Sequence, residues 1–266
     1  MNVISLTSVD LSIAAFLVVS LAILSIRMKL GLTRQIIVAG IRTTVQLLLI
    51  GLVLKALFDH MNIIWIMLIS FIMLIAAGRE VMSRQKRKFS GLWGFGAGTV
   101  SMFISSFSIT VLALTVVIDI TPWYEPQYAI PLLGMMLGNT MNGIAVCLDR
   151  LTQSAWEQRK MIEARLMLGQ EWSNAIEGIR RESIRSGMIP IINSMAAAGI
   201  VSLPGMMTGQ IIAGSPPLEA VKYQILIMFL ISGGTGFGTI VAAWIGSRRL
   251  FDDRDRLRLD RLKKIS

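Results

Sequence analysis

Seven long apolar segments constrain this sequence more than any other feature. A helix needs about 20 apolar residues to cross a hydrocarbon core of about 30 Å, and a helix satisfies its own backbone groups in lipid. We therefore predict an all-α, multi-pass membrane protein that forms a single domain over residues 1–266. The predicted spans cover approximately residues 8–26, 36–57, 61–82, 92–120, 129–148, 187–213 and 218–247.

The lysines and arginines lie mostly at alternating ends of these spans. Loops one, three and five and the tail hold most of them, whereas loop two contains Asp59 and His60 and loop four contains Asp119 and Glu125. The positive-inside rule then places the N-terminus outside and the C-terminus in the cytoplasm. The net charge of +10 is spread over these loops, which argues against nucleic-acid binding. No basic residue precedes the first segment, so we expect a span rather than a cleaved signal peptide.

Residues 149–186 form the longest predicted cytoplasmic loop, and their apolar residues recur at helical spacing. One apolar stripe ends at Gly169-Gln170 and a second begins at Trp172. This pattern predicts two amphipathic helices, separated by a break, at the inner membrane surface. The alternative is that the flanking spans extend into the cytosol. We expect the charged tail, residues 248–266, to be a solvated helix end.

Part of this loop resembles the E-A-A-x-x-x-G motif of ABC-importer permeases. In those permeases the motif forms the coupling helix that docks into a groove of the ATPase subunit. Here Arg165 replaces the second alanine, and no Leu-Pro follows Ile179. The candidates for ATPase coupling are Glu163, Ala164, Gly169 and Trp172.

The sixth predicted span contains the sequence Ser202 to Gln210, in which Pro204 precedes Gly205. Proline removes a helix hydrogen bond and glycine loosens the backbone, so this span should kink or unwind. Broken membrane helices often frame a substrate site, and Thr208 and Gln210 could face such a cavity. The alternative is a kink that serves only packing.

Two polar pairs lie inside other spans. Asn139 and Asn142 are three residues apart, so they share one helix face, and amides in lipid should face the bundle interior. They either line the substrate path or form interhelical hydrogen bonds. Arg42 and Gln46 lie one turn apart in the second span, where Arg42 either snorkels to the interface or binds an anionic group.

Glycines recur at four-residue spacing, which lets membrane helices approach closely. The pairs are Gly94 with Gly98, Gly134 with Gly138, Gly205 with Gly209 and Gly234 with Gly238. The single Cys147 and single His60 form no metal-ligand cluster, so the metal ligands are unknown.

Several of these segments resemble the FetB-like ABC transporter permease family. The most specific is VSLPGMMTG at Val201 to Gly209, and it is supported by PLLGMMLGN at Pro131 to Asn139 and by Arg42 with Gln46. The family includes bacterial iron exporters and plant aluminium-tolerance membrane proteins, and the plant proteins are linked to nucleotide sugar. The resemblance implies a permease subunit that exports iron, free or chelated, with a separate ATPase.

The chain itself contains no G-x-x-x-x-G-K-[ST] motif. We therefore expect a transport subunit rather than an enzyme, with no bound cofactor and with ATP supplied through a cytosolic ABC ATPase. We expect a homodimer in the plasma membrane, which in a bacterium is the inner membrane. The alternatives are another cargo, a membrane scaffold, or an ion-coupled carrier, which would require a buried carboxylate.

Overall fold

The computed structural model describes residues 7–59 and 62–264, and this part of the chain is mostly helical. The long helices are α1 (Ser8–Arg27), α2 (Thr33–Asp59), α3 (Ile63–Ser83), α6 (Pro126–Glu157), α9 (Glu177–Ala197) and α11 (Pro217–Arg249). The shorter ones are α4 (Leu92–Met102), α5 (Ser108–Leu112), α7 (Arg159–Met167), α8 (Trp172–Ala175) and α10 (Gly205–Ile212). Two three-residue strands, β1 (Arg87–Phe89) and β2 (Leu262–Lys264), complete the fold. His60 and residue 61 of the predicted third span, and residues 265–266 of the tail, lie outside the described residues.

Six described helical segments are long and apolar enough to cross a membrane. They are Val9–Arg27, Thr33–Lys55, Ile63–Ser83, Leu92–Val117, Pro126–Glu157 and Pro217–Arg249. The fourth segment joins α4 and α5 through two π-helical stretches, Phe103–Phe107 and Ala113–Val117. The sixth predicted span, 187–213, is not one helix, because α9 ends at Ala197 and α10 begins at Gly205. The predicted break at Pro204-Gly205 is therefore confirmed.

Helix α6 is the centre of the bundle, where it packs against α3, α9 and α11. Its Gly143 meets Gly187 of α9 so closely that a Cβ on Gly143 would lie 3.0 Å from the Gly187 carbonyl oxygen. The same Cβ would lie only 2.5 Å from Cγ2 of Thr235 in α11. Helices α6, α9 and α11 therefore meet at a point where α6 has room only for glycine, at Gly143.

The glycine pairs fall into two groups. Close packing is confirmed for Gly94 with Gly98 and for Gly234 with Gly238, since an added Cβ at each would lie within 3.0 Å of a neighbouring atom. No such neighbour lies within 4 Å of a Cβ at Gly138, Gly205 or Gly209, among the residues described. At these three positions the prediction of a packing role is wrong within a single subunit.

Helices α1 and α2 form a peripheral hairpin. The apolar far end of α2 is anchored by buried Leu57 against Ile66 of α3 and Ile130 of α6. Almost all other α2 side chains are exposed in the single chain. The hairpin therefore presents a long surface that lipid or another protein must cover.

The fifth predicted span extends far beyond its expected end. Helix α6 continues to Glu157, past the predicted end of the span at residue 148, as in the alternative in which a flanking helix extends into the loop. Leu151 and Ala155 continue the apolar stripe of the helix and are fully buried, which explains the extension. The predicted break between two amphipathic helices is confirmed, because Gly169 adopts φ +83° between α7 and α8.

The tail is not a solvated helix end, which corrects that expectation. After α11 it turns back, and β2 pairs antiparallel with β1 so that Phe89 lies opposite Leu262. Leu250 and Phe251 are buried in the same core as Ile162 of α7. We call this assembly the extramembrane body; it consists of the end of α6, α7, α8, the start of α9, β1 and the tail.

Candidate functional site

The break between α9 and α10 positions the first group of candidate residues. Pro204 caps α10, and its carbonyl oxygen accepts bonds from the backbone N–H of Thr208 at 3.1 Å and the Thr208 hydroxyl at 3.2 Å. The Pro204 carbonyl therefore accepts the first backbone hydrogen bond of α10. Gly205 is exposed at the first turn of α10.

Gln210, on the next turn of α10, lines a cavity of about 210 Å³ that we call the break cavity. Tyr128 and Met135 of α6 and Tyr223 of α11 also line it. The Gln210 Oε1 atom is buried and has no hydrogen-bond partner among the described residues. The cavity therefore contains an unused acceptor.

A second group of candidates forms a connected surface, the polar strip, which consists of Arg42, Glu80, Arg84 and Asn142. The Glu80 carboxylate pairs with Arg42 of α2 at 3.5 Å and with Arg84 at 3.2 Å. The Arg84 guanidinium then donates to Oδ1 of Asn142 in α6. One carboxylate, two guanidinium groups and one amide thus connect α2, α3 and α6.

The asparagines do not face the bundle interior of a single subunit, contrary to expectation. Both Asn139 and Asn142 are exposed, and Asn139 donates through Nδ2 to the Met135 carbonyl of its own helix at 2.8 Å. Gln46 of α2 is exposed as well. Asn142 does not line the break cavity with Gln210, so the structure does not bring the two groups of candidates into one pocket.

Asn142 instead lines an open cavity of about 600 Å³ that we call the basic-side cavity. Arg84 and Arg150 contribute guanidinium groups to it, and Asp149 contributes a carboxylate. That carboxylate is engaged, because its Oδ1 accepts the backbone N–H of Lys86 at 2.7 Å. The two arginines give this cavity a cationic lining.

The coupling candidates lie on the surface of the extramembrane body. Glu163 and Ala164 of α7 are exposed. Trp172 instead packs against the tail and the end of α11. Its ring centroid lies 5.8 Å from that of Phe251, and the Arg248 guanidinium carbon lies 5.4 Å from the Trp172 ring centroid. Trp172 therefore fixes α8 to the tail.

Met167 and Leu168 were missed by the sequence reasoning. They lie beside Gly169 at the tip of the elbow between α7 and α8, where they are 83% and 82% exposed. The sequence signal that could have identified them is a pair of apolar residues directly before a glycine that ends a helix. Glu80 and Arg84 were also missed as site residues, although their spacing of four residues is that of a helical ion pair.

No group of three His, Cys, Asp or Glu side chains that could hold a metal ion occurs in residues 7–59 and 62–264. The site is thus built from amides, hydroxyls, guanidinium groups and one shared carboxylate.

Comparison with known proteins places the chain among membrane proteins. The family model described as "Uncharacterised protein family (UPF0014)" matches residues 8–251. A UPF0014 membrane protein of Synechocystis is 39% identical over 86% of this chain and 87% of its own length. No solved structure matches the chain.

Two further relatives carry more informative names. The "Probable iron export permease protein FetB" of Escherichia coli is 32% identical over 99% of this chain and 100% of its own length. The UPF0014 membrane protein STAR2 of Oryza sativa is 32% identical over 88% of this chain and 80% of its own length. These matches confirm the resemblance found in the sequence motifs, and the chain belongs to the UPF0014 family of membrane proteins.

Proposed function

We propose that this chain is the membrane subunit of an ABC-type exporter, in which a separate cytosolic ATPase supplies the energy. It crosses the plasma membrane seven times, with its N-terminus outside and its C-terminus inside, and two copies form the path. In this arrangement α9 and α10 together make the sixth crossing. The extramembrane body then lies in the cytoplasm, where the ATPase can reach it.

The polar strip is the observation that carries this proposal. Arg42, Glu80 and Asn142 lie in helical segments that are long and apolar enough to span a membrane, yet the Arg42 side chain is 57% exposed in the single chain. Placing a charged side chain in hydrocarbon costs about 2.5–3.5 kcal/mol even on the lower scales. The strip is therefore stable only against water or another protein, and a path between two subunits provides both.

The elbow of the extramembrane body supports ATPase docking. Met167 and Leu168 form an exposed apolar tip next to the charged, exposed Glu163. Buried apolar anchors surrounded by polar groups are typical of protein interfaces. Arg165 donates to the Ala175 carbonyl at 3.3 Å. This hydrogen bond joins α7 to α8 and fixes the position of the tip between them.

The cargo that we propose is iron, because a relative that matches over 99% of the chain is named "Probable iron export permease protein FetB". The cationic lining of the basic-side cavity favours an anionic form of this cargo, such as a ferric complex with a carboxylate chelator. The same lining also favours the second candidate cargo, a nucleotide sugar, whose phosphates would bind Arg84 and Arg150.

Transport in inside-out membrane vesicles tests this function. The permease is co-expressed with an ABC ATPase from the same genome, and uptake of radioactive ferric citrate is measured with and without ATP. We expect ATP-dependent uptake that Arg84→Gln lowers, since this change breaks the strip at its contact with Asn142. Arg79→Gln, on an exposed α3 position outside the strip, is the matched control and should retain uptake.

A parallel set of vesicles receives a radioactive nucleotide sugar. If only the nucleotide sugar is taken up, the cargo is a nucleotide sugar and not iron, and the proposal of an ABC transporter still holds. Absence of ATP-dependent uptake for both compounds, with both subunits present in the membrane, would refute the proposal.

A further inference from the structure

A groove of about 670 Å³ lies between α4, the end of α11 and the tail, and it shares no residue with the polar strip or the two cavities. We call it the tail groove. One half is apolar and is formed by Trp93, Gly96, Val100 and Trp244. The other half is charged, and its three arginines outnumber its two carboxylates; it contains Arg248, Arg249, Arg261, Asp252 and Asp253.

The apolar half opens at the same end of two spanning segments. Trp93 lies in the first turn of α4 and Trp244 in the last turns of α11, and they are 48% and 58% exposed. Tryptophans are enriched where a span meets the headgroup region. Gly96 borders the open space of the groove, because an added Cβ there would meet no atom within 4 Å. The apolar half is therefore continuous with the surface that faces lipid.

Two guanidinium groups of the charged half, those of Arg249 and Arg261, form no salt bridge with any carboxylate in residues 7–59 and 62–264. Arg249 lies with its guanidinium carbon 4.7 Å above the Trp93 ring, and its buried Nε has no hydrogen-bond partner among the described residues. Arg261 donates to the carbonyl oxygens of Arg249 at 2.9 Å and Phe251 at 3.0 Å. These neutral acceptors leave its positive charge available.

The two carboxylates that line the groove, Asp252 and Asp253, are each paired with an arginine. Asp253 pairs with Arg248 at 3.3 Å. Asp252 accepts from the backbone N–H of Arg256 at 2.9 Å and pairs with the Arg256 guanidinium at 2.8 Å. The backbone bond from Arg256 is the largest of the effects that lower the pKa of Asp252 to about 2. Arg249 and Arg261 therefore remain for an external anion.

We propose that the tail groove binds one anionic phospholipid from the leaflet on the basic side of the membrane. An acyl chain lies along the half that contains Trp93 and Gly96, and the phosphate contacts Arg249 and Arg261. A zwitterionic lipid has no net charge to complement the arginines. A soluble phosphate could bind the arginines but would leave the apolar half unused. The volume is within the range of about 300–1,000 Å³ typical of small-molecule sites.

Native mass spectrometry of the purified permease tests this site without any transport assay. The protein is incubated with phosphatidylglycerol or with phosphatidylcholine of the same acyl chains, and glycerol phosphate serves as the soluble competitor. Gly96→Leu fills the apolar half and leaves every charge in place. Arg249→Gln removes one charge and leaves the apolar half open.

Each variant has a matched control at the same kind of position. Gly51→Leu adds the same side chain to α2, where a Cβ also meets nothing within 4 Å. Arg34→Gln removes an exposed arginine from the start of α2.

We expect the unaltered protein to retain phosphatidylglycerol several-fold more than phosphatidylcholine. Arg249→Gln should weaken phosphatidylglycerol binding about fivefold, the effect of one basic residue at an anionic membrane surface, and Gly96→Leu should abolish the preference. Both controls should bind as the unaltered protein does.

Equal retention of the two lipids would overturn the proposal, and so would full binding by Gly96→Leu. Displacement of phosphatidylglycerol by glycerol phosphate would assign the arginines to a soluble anion instead. Since none of these measurements involves the ATPase or the cargo, their failure would be distinct from failure of the proposed transport function.

Discussion

Replacing Phe251 by alanine should release the tail from the extramembrane body. The Phe251 side chain is 2% exposed and lies in one buried cluster with Ile162 and Leu250. Truncating a buried phenylalanine typically costs about 3–5 kcal/mol. The tail is otherwise held by a three-residue strand pairing and a few apolar contacts, so this loss should open it locally rather than unfold the bundle.

Hydrogen exchange provides the measurement for this prediction. Ser90 N–H donates to the Arg261 carbonyl at 2.8 Å and reports on tail attachment, whereas Arg258 N–H donates to the Leu250 carbonyl at 2.7 Å and reports on the conformation of the tail itself. Each 1.4 kcal/mol is a tenfold change in an equilibrium, so about 3 kcal/mol should accelerate exchange at both amides by on the order of 100-fold. Amides in the middle of α6 should keep their protection.

Phe237→Ala is the matched control, because Phe237 lies in α11 and is 63% exposed. It should leave the tail amides protected. If Phe251→Ala also leaves Arg258 and Ser90 protected, the tail is not held by this cluster, and the reasoning about the extramembrane body is refuted.

Three further changes examine other parts of the molecule. Gly143→Ile should prevent correct packing of α6 against α9 and α11, seen as loss of the monodisperse protein on size exclusion, whereas Gly138→Ile, at an open position, should be tolerated; equal behaviour of the two would contradict the packing argument. Leu168→Asp should lower co-purification of the ATPase at least tenfold without affecting membrane insertion, and undiminished co-purification would exclude the elbow tip as the docking surface. The pKa of Asp252 lies at about 2, below its ordinary value of 3.8, so its contribution to the turn that it forms with Arg254 and Arg256 should be complete above about pH 4 and lost as the pH falls towards 2. Asp252→Asn should abolish this dependence in exchange measurements at the Arg256 amide, which donates to Asp252 at 2.9 Å.

The membrane helices were predictable because their signal is local. Each span is a run of apolar residues whose length matches the bilayer, and the helix break follows from Pro204 and Gly205 alone. The end of α6 was misplaced because the search followed hydrophobicity, which falls after residue 148. The helical spacing of Leu151 and Ala155 continued, and the extramembrane body buries them.

The tail and the polar strip were not predictable in this way, because both depend on residues that are distant in sequence. Charge dominates the composition of the tail, yet Phe251 and Leu262 are the residues that decide its conformation. Glu80 was missed as a site residue. Its partner Arg42 lies on another helix, and no spacing rule connects the two.

The pairing of β1 with β2 also sets a timing constraint on biosynthesis. Residues 87–89 leave the ribosome early, whereas their partners, residues 262–264, are made after every spanning helix. Synthesis at about 5–20 residues per second separates the two strands by roughly 10–30 s. A chain that stops after α11 can therefore insert its helices but cannot complete the body that supports the elbow.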